Sequence, residues 1–199
     1  MPSSPLGFVH WSNLLSYASA GSWLMAVHSA VVGRSWAGAG SWIALAALAD
    51  MFDGKFASLF LRSRHQREFG IQLDSLVDAV AFGGGPVACL IALTSPGTPA
   101  EGGAFLLAAL VYLTAALTRL GYFNLESHAD QGFVGVPTTI VGLLWSSLFF
   151  LEPSPNVATG GLLFTAALML LPVSITRPTG WRFALFPAWA VGLVVLGLL

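Results

Sequence analysis

Seven long apolar runs, separated by short stretches of glycine, proline and charge, dominate this sequence, at approximately residues 12–33, 36–61, 71–94, 102–123, 134–151, 157–175 and 182–199. A helical bilayer crossing needs about 20 consecutive apolar residues, whereas a barrel strand needs only about 10 with alternating polarity. The runs are long and do not alternate, so they predict helices. With 199 residues, no room is left for a soluble domain beside them. Of those residues 56% are hydrophobic and 9% charged, with a mean hydropathy of +0.78; an average soluble domain is about 25% charged. The reading is an all-α integral membrane protein, a bundle of about six to seven transmembrane helices. This composition argues against a soluble enzyme, a nucleic-acid binder and a disordered chain.

The formal net charge is −1, so no basic field recruits nucleic acid and any electrostatic work is local. The single Cys89 lies in an apolar stretch and reads as a packing residue. Met1-Pro2-Ser3-Ser4-Pro5 lacks the basic segment of a signal peptide, and no cleavage is expected. With a cytoplasmic N-terminus, Arg62, Arg64, Arg67, Arg177 and Arg182 fall in cytoplasmic loops, Lys55 and Arg119 near cytoplasmic helix ends, and only Arg34 outside. The positive-inside rule favours that orientation. Trp11, Trp36, Trp145 and Trp181 near run ends read as interfacial anchors, while Trp23 and Trp42 do not.

Four of the nine acids, Asp50, Asp53, Asp74 and Asp78, lie within or beside the second and third runs. A carboxylate at membrane depth costs about 2.5–3.5 kcal/mol on insertion scales, so four together mark a functional site. The spacings are i,i+3 and i,i+4, which puts each pair on one helix face. With helix ends near residues 61 and 70, two antiparallel helices bring all four to similar depth. Clustered carboxylates stay ionised only beside positive charge. Lys55 and Arg119 are the nearest internal cations, and a hard divalent ion such as Mg²⁺, Mn²⁺ or Ca²⁺ suits an all-oxygen ligand set. Without a thiolate or histidine cluster, zinc is disfavoured. Gly54 follows Asp53, and Gly70, Asp74 and Asp78 run at i, i+4, i+8, so the missing side chains let a phosphate or nucleotide approach the backbone.

Asp50-x-x-Asp53-Gly54-x-x-Ala57 followed by Gly70-x-x-x-Asp74-x-x-x-Asp78 resembles the motif of the CDP-alcohol phosphotransferase family. Phe69 to Asp78, Phe82-Gly83-x-x-Pro86, Arg119-Leu120-x-x-Phe123-Asn124 and Gly135-Val136-Pro137 are similar to the phosphatidylserine synthase branch. The resemblance covers about residues 50–140. Three positions depart from the family pattern. Ser58 stands where an Arg is usual, the gap from Ala57 to Gly70 is three residues longer, and Tyr122 replaces an Arg two residues before Asn124.

The resemblance implies one catalytic domain over 1–199, with a core at about 8–175 and an extra C-terminal helix at about 182–199. It implies transfer of a phosphatidyl group from CDP-diacylglycerol to an alcohol, L-serine first, releasing CMP in phospholipid biosynthesis. Inositol phosphate, glycerol phosphate and choline are the alternative acceptors. Asp50, Asp53, Asp74 and Asp78 would bind Mg²⁺ or Mn²⁺, with Asp78 also the catalytic base. Gly54, Ala57, Ser58 and Gly70 would line the CDP site, and Arg62, on the helical face of Ser58, could supply the charge missing there. Arg119 and Asn124 are candidate phosphate or acceptor contacts. A homodimer in the cell (inner) membrane, multi-pass, with N-terminus and active site cytoplasmic, is the expected assembly; membrane lipid is a partner and nucleic acid is not. Glu68, Glu101, Glu126, Asp130 and Glu152 read as solvated charge, and His10, His28, His65 and His128 are scattered. Gly83-Gly84-Gly85-Pro86 is expected to bend the third helix. Two rivals are a membrane prenyltransferase, whose aspartate motifs lack this glycine and alanine pattern, and a cation transporter using the intramembrane aspartates.

Overall fold

The computed structural model describes residues 5–126, 133–175 and 181–199; Arg177, His128 and Asp130 lie outside them. Two short 3₁₀ turns, Pro5–Phe8 and Trp11–Asn13, lead into α1 (Leu14–Val31) and α2 (Trp36–Ala57). Next come α3 (Arg64–Asp78), a π-helical segment (Ala79–Gly84) and α4 (Gly85–Leu93), which together form one continuous column. The chain continues as α5 (Pro99–Glu126), α6 (Thr138–Phe149), α7 (Pro155–Leu170) and α8 (Trp181–Leu196). Among the described residues this makes seven helical columns. Arg64–Leu93 and Pro99–Leu125 are each long and apolar enough to cross a membrane.

Polar side chains set the boundaries that the apolar runs left loose. The third column begins at Arg64 rather than near 71 because Ser63 and Gln66 form a capping box, each side chain bonding the other's backbone N–H. The second helix stops at Ala57 rather than 61, where the Ser58 hydroxyl donates to the Lys55 carbonyl at 2.6 Å and the chain turns. Six residues of α3 therefore precede Gly70, and depths counted back from helix ends near 61 and 70 do not hold. Convergence of the aspartates comes from packing rather than from equal distance to the ends.

The expected bend in the third column takes the form of a wide π turn with an identifiable cause. Pro86 has no N–H to give the Phe82 carbonyl four residues earlier. Tyr112 of α5 replaces it, its hydroxyl donating to that carbonyl at 2.6 Å from a fully buried position. Glycines make the close approach feasible. A Cβ on Gly142 of α6 would meet the Phe82 ring at 2.5 Å, and one on Gly85 would meet the Trp23 ring at 2.9 Å.

The core is rich in alanine and aromatic residues. α1 packs along α2, α5 along α7, and α6 and α8 against α2. At the α2–α6 crossing, Ser146 donates to the Gly40 carbonyl at 2.6 Å, and a Cβ on Gly40 would meet the Ser146 carbonyl at 2.9 Å. Trp145, expected at an interface, is instead buried in the core and meets Tyr112 and Phe149 edge-on or tilted. Cys89 is fully buried, as a packing residue should be.

The entry to α6 is pinned at the end of the bundle where the aspartates lie. Gly135 has a φ of +71°, and a Cβ there would strike the Met169 carbonyl. The backbone N–H of Gly135 donates to Val173 and that of Val136 to Leu168. A two-residue antiparallel pair, β1 (Phe133–Val134) with β2 (Ser174–Ile175), completes the clamp. Pro137 then opens α6, directing Thr138 and Thr139 at the carboxylates.

Candidate active site

Asp50 of α2 and Asp74 and Asp78 of α3 each offer one carboxylate oxygen, and the three oxygens lie within 4.8 Å of one another. Each helix presents its pair on one face, and α1, which packs on both α2 and α3, helps hold those faces together. Hydroxyls from other helices brace three of the four acids. Thr139 donates to Asp50 at 2.7 Å, Ser16 of α1 to Asp53 at 3.0 Å, and Thr138 makes a longer contact with Asp78 at 3.4 Å. Asp78 is 9% exposed, and its Oδ1 has no hydrogen-bond partner. Packing this much negative charge into a buried site is costly without a counter-charge.

Two cavities flank the carboxylates. One of about 170 Å³ opens between the N-terminal turn and the ends of α2 and α3. Gly54, Ala57, Gly70 and Arg62 line it, with Ser12, Asn13 and Ser16 on the opposite wall. The other, of about 210 Å³, lies toward α5 and α6. Asp50, Asp78, Ser75, Arg119, Asn124, Thr138 and Thr139 line this second cavity. Asp53, Ile71 and Asp74 line both, so the acidic row is the wall between them.

The sequence-predicted residues divide accordingly. Arg62 reaches the first cavity, its Nη1 3.7 Å from where a Cβ on Gly70 would stand. Ser58 is not among that cavity's lining residues; its exposed hydroxyl is engaged with Lys55. Lys55 turns outward, its Nζ 4.2 Å from the centre of the Phe183 ring. Arg119 does not snorkel from a helix end. It is 6% exposed, lines the second cavity with Asp78, and its Nε has no hydrogen-bond partner. Asn124 accepts from Ser75 at 2.9 Å on the same wall.

Sequence reasoning missed Ser12, Asn13, Ser16, Ser75, Thr138 and Thr139. Small polar residues at the start of an apolar run read as helix caps, and Thr138-Thr139 read as the start of a helix. Their position directly after Gly135-Val136-Pro137 was the available signal.

A helical bundle with a carboxylate row between two polar cavities defines a site that can hold a phosphorylated donor on one side and an acceptor on the other. The chain belongs to the CDP-alcohol phosphatidyltransferase family, whose model matches residues 9–196 and so includes α8. It is 30% identical over 131 residues to the CDP-diacylglycerol–serine O-phosphatidyltransferase of Mycobacterium leprae, a match that covers 55% of this chain and 41% of that protein.

Proposed function

We propose that this protein is a membrane-embedded, divalent-metal-dependent phosphatidyltransferase that moves the phosphatidyl group of CDP-diacylglycerol to L-serine, giving phosphatidylserine and CMP. The observation that carries the reading is the acidic row shared by two cavities, Asp53 and Asp74 facing both. The residues suit a hard divalent cation, Mg²⁺ or Mn²⁺: three carboxylate oxygens converge within 4.8 Å, and a buried Asp78 oxygen has no donor. Asp50, Asp74 and Asp78 would hold it, with Asp53 beside them. Bound there, the ion would offset the charge of the donor pyrophosphate and stabilise the departing CMP.

Gly54, Ala57 and Gly70 admit the cytidine diphosphate, and Arg62 pairs with its phosphates. On the other side Arg119 offers its planar fork to the serine carboxylate, and Ser75 and Asn124 bind the remaining polar groups. Asp78 accepts the proton of the serine hydroxyl. That oxygen forms the new bond to the phosphorus carrying diacylglycerol, while the bond from this phosphorus to the bridging oxygen breaks and CMP leaves with the electron pair. Serine as acceptor is supported by the Mycobacterium leprae relative and by a buried arginine suited to a carboxylate. The seven basic residues assigned to one side favour a multi-pass protein in the cell (inner) membrane, with N-terminus and site cytoplasmic. By family resemblance it would act as a homodimer.

Purified protein incubated with CDP-diacylglycerol, Mg²⁺ or Mn²⁺ and a panel of serine, inositol phosphate, glycerol phosphate and choline should release CMP with serine. Absence of CMP with every acceptor overturns the reading, and release with another acceptor alone replaces serine.

A further inference from the structure

Within the first cavity, one polar group has no partner. Asn13 is 3% exposed, and its Nδ2 makes no hydrogen bond. Its Oδ1 is engaged, accepting from the Ser12 hydroxyl at 3.2 Å, and Ser12 is in turn held by His10, whose Nδ1 accepts the Ser12 backbone N–H at 3.2 Å. The turn that carries Asn13 is fastened down by ring contacts. Phe8 stacks on Phe69 with centroids 5.2 Å apart, and His10 meets Phe60 edge-on at 5.8 Å. The amide is therefore oriented with its oxygen inward on the turn and its donor free. A buried donor left unpaired is destabilising, which calls for a partner the protein itself does not supply.

The surroundings specify that partner's chemistry. Asn13 and Gly70 both line the cavity, and a Cβ on Gly70 would come within 3.4 Å of the Asn13 Oδ1, so a side chain there would crowd the amide. Gly54, on the wall formed by α2, has nothing within 4 Å of where its Cβ would be. Two glycines on facing helices leave a side-chain-free slot suited to a flat ring. Among the other polar groups lining it, Ser16 is engaged with Asp53, and Arg62 is charged and suited to phosphate. A neutral N–H donor fits an uncharged acceptor.

We propose that Asn13 Nδ2 recognises the pyrimidine base of the donor nucleotide, donating to the edge of cytosine that carries O2 and N3. This rests on the phosphatidyltransferase reading and adds the residue that selects the base. Uracil presents an N–H at N3 where cytosine presents a bare nitrogen, so a donor aimed at that edge favours cytosine.

The test is equilibrium binding of labelled CDP and UDP to detergent-purified protein with Mn²⁺, alongside Mn²⁺ affinity by electron paramagnetic resonance. Wild type should prefer CDP. Asn13→Ala should weaken CDP binding about tenfold, the loss of one hydrogen bond and its desolvated partner, narrow the CDP/UDP preference, and leave Mn²⁺ affinity unchanged. Asn13→Asp, which keeps the shape and the acceptor for Ser12 but removes the N–H, should lose CDP to at least the same extent. Wild-type CDP affinity and preference retained in both variants overturns the proposal and leaves the phosphatidyltransferase reading standing. Wild type that binds neither nucleotide overturns both.

Discussion

The two cavities share the wall formed by Asp53, Ile71 and Asp74 and differ in almost everything else. The first is built from backbone and small residues, Gly54, Ala57 and Gly70, with the half-buried Arg62 at its edge. The second is built from side chains locked by their neighbours: Asn124 held by Ser75, Thr139 held to Asp50, and Arg119 almost wholly buried. A glycine-lined slot accommodates a large flat ligand through shape. A cavity with a buried cation and oriented hydroxyls selects a small anionic one through charge and hydrogen bonding. The same acidic row can thus serve two ligands of different size without either occupying the other's place.

If that division is right, changes on each side should move different kinetic parameters. The largest effect belongs to Asp78. Asp78→Asn should lower kcat about 10²- to 10⁴-fold, the range for loss of a general base, while binding of the CDP-lipid persists; loss of CDP-lipid binding instead would reassign Asp78 as an essential ligand of the donor side. Arg119→Met should raise the acceptor KM about ten- to hundredfold, as expected for a charge-assisted hydrogen bond in a buried site, with the CDP-lipid KM unchanged. Arg62→Met should raise the CDP-lipid KM by only about three- to tenfold, because the partly exposed guanidinium is screened by solvent. The smallest effect is expected at Thr139. Thr139→Val removes the hydroxyl that fixes Asp50 and should weaken Mn²⁺ affinity about fivefold, whereas Thr139→Ser should retain it; equal loss in both would show that the methyl contact, not the hydroxyl, holds the site.

The first cavity was also far more legible in the sequence than the second. Gly54, Ala57, Gly70, Asp74 and Asp78 are placed by helical register alone, because one face of α3 carries residues 70, 74 and 78 whatever the helix packs against. Arg62 followed from the same arithmetic, four residues beyond Ser58, even though α2 ends before reaching it. The helical runs themselves were legible because nothing but a helix satisfies long apolar backbone. What the sequence could not show was depth and partnership. Arg119 reads equally as a snorkelling residue until α6 and α3 are seen to enclose it. Thr138 and Thr139 acquire a role only through the clamp at Gly135, whose positive φ and contact with Met169 depend on α7, more than thirty residues downstream. Asn13 reads as a helix cap, yet it makes no side-chain cap on α1 and instead faces the cavity.

The most direct test of two separate substrate chambers sharing one acidic wall is two-substrate steady-state kinetics on Arg62→Met and Arg119→Met, with CDP-diacylglycerol and serine each varied against the other. The structure predicts that the KM changes segregate, the CDP-lipid KM rising only in Arg62→Met and the serine KM only in Arg119→Met. Both KM values rising together in either variant would contradict separate chambers and require a single shared one.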